Sequence, residues 1–158
     1  RVDGQGRPFY VSDADIFGAV AGEEMVLVAQ LAAQLRALPP ARQVVAPLTV
    51  GHHVDHQLTR LAAETAFDLE TLRYYEDYPY AQQPGKLAEV FAPDDAGWSA
   101  EVVALDAATL RAKYAAVAAF RSQLSTFFRD QNDLEAQVGG YANSVGGERR
   151  WSRLPVVE

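Results

Sequence analysis

All three histidines of the 158-residue chain lie within five residues, in the segment Gly51-His52-His53-Val54-Asp55-His56. Imidazole groups bind divalent metal ions and transfer protons near neutral pH. His53 and His56 are three residues apart, and on a helix this spacing places both on one face with Asp55 beside them. The cluster therefore predicts a metal ligand and a catalytic partner. Because adjacent helical residues point about 100° apart, we expect His52 to face away.

Two predicted elements hold this cluster in place. An apolar run over residues 43–50 predicts a buried strand, and an amphipathic stretch over about 54–67 predicts a helix. The histidines then follow the carboxyl end of a strand and occupy the first turn of a helix, where α/β proteins build their functional sites. A second strand, predicted over 69–75, leads into Tyr75-Glu76-Asp77-Tyr78-Pro79-Tyr80. Since this segment also follows a strand, we expect Glu76 or Asp77 to contact the substrate or the surroundings of a metal.

The rest of the chain alternates helical and strand patterns. This alternation predicts an α/β fold with a parallel or mixed sheet between helices. No repeat or linker divides the sequence, so we expect a single domain over residues 1–158. The further expected elements are a helix over 23–38 ended by Pro39-Pro40, strands over 86–91 and 98–105 around a turn at 93–97, a helix over about 107–126 capped by Asp106, a helix over about 130–142 ending near Gly139-Gly140, and an extended piece around Trp151.

Composition excludes several classes of partner and site. The net charge is −7 and the isoelectric point is near 4.9, which argues against nucleic acid or an anionic membrane as partner. No run of 18 apolar residues predicts a membrane-spanning helix. The chain has no cysteine, which is compatible with a cytoplasmic protein. Any metal must therefore be held by imidazole and carboxylate, a donor set that suits zinc or another divalent transition ion.

The histidine segment resembles the second signature of the PIG-L (LmbE-like) family of zinc-dependent N-deacetylases. Four further landmarks stand in that family's order, so the resemblance covers about residues 43–151. They are Pro47-Leu48-Thr49-Val50-Gly51, the segment from Tyr75 to Tyr80, Lys113 followed by Phe120-Arg121-Ser122-Gln123, and Glu148-Arg149-Arg150-Trp151. From the residues alone, the last two landmarks favour ion pairing and packing over a role in function.

The resemblance implies a Rossmann-like layered fold and one zinc ion. It also implies removal of an N-acetyl group from a small-molecule amino-sugar conjugate of the N-acetylglucosamine type. By this resemblance His56 is a zinc ligand, and His53 either polarises the acyl oxygen or protonates the leaving amine. Asp55 then lies outside the metal's ligands and orients an imidazole.

The sequence departs from the family pattern in one respect. The first signature of the family, a His-Pro-Asp-Asp segment that supplies two zinc ligands and the general base, does not occur. Pro93-Asp94-Asp95 is no substitute, because Ala92 precedes it and it follows the histidine motif. We therefore expect the chain to be the C-terminal two-thirds of the enzyme and to need an N-terminal segment of the same protein as a partner. An incomplete sheet would expose an edge that this segment or a second copy in a homo-oligomer covers.

Two other functions compete with deacetylation. The metallo-β-lactamase pattern His-x-His-x-Asp-His is similar to the cluster, but Gly51 stands where its first histidine must be. The second alternative is a degenerate, non-catalytic LmbE-like domain that binds a sugar or a partner. An intact metal site with acetyl release would exclude this last alternative.

Overall fold

The computed structural model describes residues 1–91 and 97–154. Four strands and six helices follow one another along these residues. The strands are β1 (Val44–Pro47), β2 (Leu72–Tyr75), β3 (Trp98–Val103) and β4 (Glu148–Arg153), and the helices are α1 (Asp13–Ile16), α2 (Met25–Arg36), α3 (Val54–Ala66), α4 (Ala107–Ala118), α5 (Arg121–Phe127) and α6 (Gln131–Val145). The predicted turn at 93–97 lies outside the described residues apart from Gly97. No helix of the described part is long and apolar enough to cross a membrane.

The strands form a mixed sheet in the order β1-β2-β4-β3. β1 and β2 are parallel, with Val44 opposite Leu72. β3 and β4 are antiparallel, because Leu154 N–H donates to Gly97 O at 2.7 Å beyond one end while Gly147 lies against Val103 O at the other. Parallel strands joined through a helix together with an antiparallel pair confirm the expected α/β fold.

The chain forms two compact units. One comprises Arg1–Ser99 and the C-terminal stretch from Trp151, and the other comprises Ala100–Arg150. In the first unit α2 packs on α3 through the buried residues Val28, Leu58 and Ala62. In the second unit α6 buries Leu134 and Val138. The single domain over residues 1–158 stays a prediction.

The predicted strand over 86–91 is wrong. Residues Ala88–Val90 form a 3-10 turn, and the chain ahead of it closes short-range hydrogen bonds. Lys86 N–H donates to Gln83 O, and Glu89 N–H donates to Gly85 O, each at 3.2 Å. Gly85 adopts a φ of 81°, which reverses the backbone, so these residues satisfy their polar groups locally.

Two helix boundaries also differ from the prediction. The helix expected over 107–126 is interrupted at Phe120, whose ψ of 58° takes the backbone out of the helix and whose side chain is 70% exposed. The helix expected to end near Gly139-Gly140 continues to Val145, and Gly146, in the left-handed region at φ 84°, ends it. Asp106 caps α4 as predicted, since its side chain accepts from Thr109 N–H.

Candidate active site

The connection from β1 to α3 is a turn of unusual backbone conformation. Thr49, Gly51 and His52 have φ values of 70°, 83° and 60°. Gly51 is required at its position on two grounds: its φ is positive, and a Cβ there would lie 2.7 Å from Cγ of Tyr80. The turn brings the backbone directly into α3 with His53 as the N-cap. Left-handed conformations at non-glycine residues are concentrated at functional sites.

His53 is held by the first turn of α3. Its Nδ1 accepts a hydrogen bond from Asp55 N–H at 3.2 Å, so a neutral His53 carries its proton on Nε2. Burial lowers the pKa of His53 below the ordinary value of 6.5, and nearby His56 and Arg1 act in the same direction while Asp55 opposes them. The structure therefore favours a neutral imidazole with an Nε2–H donor.

His56 contacts a buried carboxylate. Its Nδ1 lies 2.6 Å from Oδ1 of Asp77, whose side chain has 0% of its surface exposed. This distance places the imidazole nitrogen against the carboxylate oxygen, although the contact does not have the geometry of a regular hydrogen bond. The other oxygen, Oδ2, accepts from Val50 N–H at 2.9 Å. Asp77 thus joins the end of β2 to the β1–α3 turn and to α3.

The two imidazoles lie together among aromatic rings. The ring centroids of His53 and His56 are 5.2 Å apart. Phe17 meets His53 edge-on at 5.5 Å, and Tyr80 lies 5.7 Å from Phe17 and 6.3 Å from His56. Apolar rings around two imidazoles lower the local dielectric, which strengthens any polar contact made with them.

Asp55 does not place its carboxylate against an imidazole. The side chain is 59% exposed and forms an ion pair with Arg1. Burial opposes the effect, but the Arg1 guanidinium lowers the pKa of Asp55 below its usual range. Asp55 touches His53 through its backbone N–H, and the carboxylate that contacts an imidazole belongs to Asp77. An orienting role for the Asp55 side chain stays a prediction.

Glu76 and Asp77, the two candidates for substrate contact, are both buried. Glu76 is 9% exposed and accepts a hydrogen bond from Nε1 of Trp151 at 2.7 Å. Two of the sequence landmarks therefore pack against each other within one unit. In the other unit Lys113 forms an ion pair with Glu148, which brings the landmark of Lys113 into contact with the one that begins at Glu148. Contact of Glu76 or Asp77 with a substrate stays a prediction.

His52 lies apart from the other two imidazoles. Together with Thr49, Gln57 and Glu64 it lines a surface cavity of about 310 Å³. The backbone carbonyl of His52 accepts from the Gln57 side chain, which also donates to Gly18 O at 2.7 Å. The structure thus separates His52 from the pair formed by His53 and His56.

The described residues do not form a complete zinc site. Across residues 1–91 and 97–154, no group of three or more His, Asp or Glu side chains is arranged to hold a metal ion. A catalytic zinc needs three protein ligands and a water, and the pair offers at most two imidazoles. Pro93-Asp94-Asp95 lies outside the described residues.

Sequence reasoning did not identify the surroundings of the pair. Phe17 comes from the end of α1, 36 residues before His53, and no spacing rule connects them. The sequence indicates the partner of His56 only as one of two carboxylates, Glu76 or Asp77, expected to contact the substrate or the surroundings of a metal. The available signal is that Asp77 follows β2 and the histidines follow β1. Parallel neighbouring strands end at the same edge of a sheet, so residues after both strands lie close together.

Comparison with known proteins found solved structures but no family. No protein-family model and no curated protein matches the chain. The zinc-inhibited form of teicoplanin deacetylase Orf2 matches with a TM-score of 0.72 and 25% identity, over 99% of this chain and 65% of that chain. A deacetylase–teicoplanin complex matches with a TM-score of 0.71 and 22% identity, over 100% and 64%. The A40926 pseudoaglycone deacetylase Dbv21 matches with a TM-score of 0.65 and 22% identity, over 99% and 62%.

These matches confirm the layered α/β fold. They extend over almost every residue of the chain, so the strands and helices described above have the arrangement found in these deacetylases. The chain spans just under two-thirds of the length of the deacetylases it matches.

Proposed function

We propose that this chain carries part of the active site of an N-deacetylase, an amide hydrolase that removes an acetyl group from an amino-sugar conjugate. The observation that carries the proposal is the pair of imidazoles at the first turn of α3, with ring centroids 5.2 Å apart and a buried carboxylate behind one of them. His53 is a neutral imidazole that can donate a hydrogen bond, and His56 faces a carboxylate. The two imidazoles can therefore take different roles in one site.

The solved structures support this class of reaction. Those similar to the chain are deacetylases, and one of them is a complex with teicoplanin. The sequence landmarks around the histidines favour the same class independently. An acetylated amino sugar of the N-acetylglucosamine type is the substrate that we propose for this chain.

His53 would supply the electrophilic contact. Hydrolysis of an amide adds water to the carbonyl carbon, develops negative charge on the acyl oxygen, and then expels an amine that takes up a proton. The Nε2–H of neutral His53 can donate to that oxygen, since Nδ1 is engaged by Asp55 N–H. The negative charge of Asp55 opposes the lowering of the His53 pKa, and it would stabilise positive charge on the imidazole.

The proposal includes a zinc ion that the described residues do not hold by themselves. A zinc ion held there would supply hydroxide near neutral pH, because zinc lowers the pKa of its bound water to about 7. His56 is the ligand that we propose from this chain. Since three protein ligands are needed, we propose that the others come from a further segment of the same protein.

Acetate release from acetylated amino-sugar conjugates tests the proposal. We expect the natively purified protein to hydrolyse such amides and His53→Asn to lower kcat by about 10²- to 10³-fold, the usual cost of losing one donor to the developing oxyanion. Asn retains an acceptor at the helix N-cap, so the variant should remain folded. The matched control is His52→Asn, which removes an imidazole from the same turn but from the other side, and it should keep most of the activity.

A non-catalytic domain that binds a sugar or a partner is the second candidate, and the incomplete metal site is the observation that favours it. This candidate predicts saturable binding of amino-sugar conjugates with no acetate released by protein that contains stoichiometric zinc. Equal acetate release by the wild-type protein and by His53→Asn would contradict the proposed role of His53.

A further inference from the structure

Asp77 is placed to control the state of His56. Its carboxylate is fully buried, with Oδ2 accepting from Val50 N–H and Oδ1 facing Nδ1 of His56 at 2.6 Å. Neither Oδ1 nor Nδ1 forms a hydrogen bond of regular geometry with any described group, so the 2.6 Å approach to each other is the polar contact that both atoms make. His56 keeps 31% of its side-chain surface exposed although Nδ1 is buried, so the exposed part of the ring lies on the side away from Asp77.

We infer that Asp77 is a positioning residue that keeps the proton of neutral His56 on Nδ1 and leaves the lone pair of Nε2 free. An ionised carboxylate only accepts hydrogen bonds, so the nitrogen that faces it must carry the proton. The nitrogen away from Asp77 is then a ligand or base. The consequence of this tautomer for catalysis rests on the proposed function, but the assignment of the tautomer does not.

The second oxygen of Asp77 makes the requirement specific for a carboxylate. In Asp77→Asn the buried Val50 N–H still needs an acceptor, and the amide oxygen supplies it. The amide NH₂ then points at Nδ1 of His56, which must accept and therefore shifts its proton to Nε2. The variant is nearly isosteric and yet selects the opposite tautomer, as an Asp→Asn change does in Ser-His-Asp hydrolases.

The position of Asp77 also explains why a neighbouring carboxylate cannot take over. Asp55 is mostly exposed and paired with Arg1, and Glu76 is turned towards the indole of Trp151. Neither carboxylate contacts Nδ1 of His56. Removal of the Asp77 charge therefore leaves no described acceptor for that nitrogen.

Nitrogen-15 NMR of the full, histidine-labelled protein measures the tautomer directly. At a pH where the ring is neutral, we expect wild-type His56 to show a protonated Nδ1 and an unprotonated Nε2, and Asp77→Asn to show the reverse. His52→Gln and His53→Asn assign the signals. A protonated Nε2 in the wild-type protein overturns the inference even if Asp77→Asn does not fold, and an unchanged tautomer in a folded Asp77→Asn does so as well.

A matched variant and an activity measurement separate the two proposals. Glu64→Gln also replaces a partly buried carboxylate, one that accepts from Tyr74, and it should leave the His56 tautomer unchanged. If the protein hydrolyses acetylated amino sugars, Asp77→Asn should lower kcat by about 10- to 100-fold with little change in KM, the size of effect seen when a group behind a metal-binding histidine is removed. The expected tautomer without any hydrolysis would contradict the proposed function and leave the positioning role standing.

Discussion

His53 and His56 have opposite arrangements although they share one helical turn. His53 accepts at Nδ1 from the backbone, whereas His56 directs Nδ1 at a carboxylate. A backbone N–H places the proton of His53 on Nε2, and a carboxylate places that of His56 on Nδ1. One imidazole is therefore prepared to donate and the other to accept or bind a cation, and the proposed amide hydrolysis would use both roles.

The pKa of His53 makes the stability of the protein depend on pH. In the folded protein this pKa lies below 6.5, the value expected for the unfolded chain. As the pH falls below about 6.5, the unfolded chain therefore binds more protons, and the free energy of unfolding decreases until the folded pKa is passed. We expect this loss to be smaller in His53→Asn, measured by urea unfolding between pH 7.5 and 5. His52→Asn controls for the removal of an imidazole, and identical pH profiles for wild type and His53→Asn would contradict the prediction.

Helix α6 shows at the scale of one element how packing overrides local preference. Two consecutive glycines in a helix favour its end, yet α6 runs through both of them. Gly139 is buried, and a Cβ there would lie 2.3 Å from the hydroxyl oxygen of Tyr114 on α4. A side chain at position 139 would therefore have to displace the Tyr114 hydroxyl, and the left-handed Gly146 provides the actual end of α6.

The two glycines make a matched pair of variants. Nothing lies within 4 Å of a Cβ at Gly140, so Gly140→Ala should stabilise the protein by about 0.5–1 kcal/mol through helix propensity. Gly139→Ala gains the same propensity but pushes against Tyr114, and we expect a net destabilisation of about 1–3 kcal/mol. Urea unfolding of both variants measures the difference. Equal stabilisation by both would show that Tyr114 moves away freely.

At the scale of the whole molecule, burial differs strongly among the helices. α3 buries Val54, Leu58, Ala62 and Ala63, and α6 buries four residues as well. No residue of α4 or α5 is fully buried. Helices derive most of their stability from an apolar face packed in a core, so α4 and α5 should be the least protected of the longer helices.

Amide hydrogen exchange tests this ranking. We expect the amides of α3 to exchange last and those of α4 and α5 to exchange much earlier, because local opening needs less free energy where few apolar contacts are lost. The histidine pair lies at the start of α3 and Asp77 lies just after β2, so both belong to the part of the chain expected to exchange slowly. Equal protection of α3 and α5 would contradict the ranking.

Much of the architecture around the site follows from local sequence. The apolar run before the histidines, the periodic stretch after them and the capping side chain of Asp106 predict β1, α3 and the start of α4 because each depends on neighbours within a few residues. The sequence also places all three imidazoles in one strand-to-helix turn. These features need no information about distant contacts.

Only the tertiary structure decided which groups meet across the chain. The partner of His56 is Asp77 and not Asp55, because β1 and β2 are parallel and end at the same edge of the sheet, which brings residue 77 beside residue 56. Gly139 of α6 lies against the hydroxyl of Tyr114, 25 residues earlier. The segment at 86–91 contains the 3-10 turn Ala88–Val90 although its residues suit a strand. In the first two cases the contact joins groups that sequence spacing does not relate. In the third case a backbone reversal lets the segment satisfy its hydrogen bonds locally.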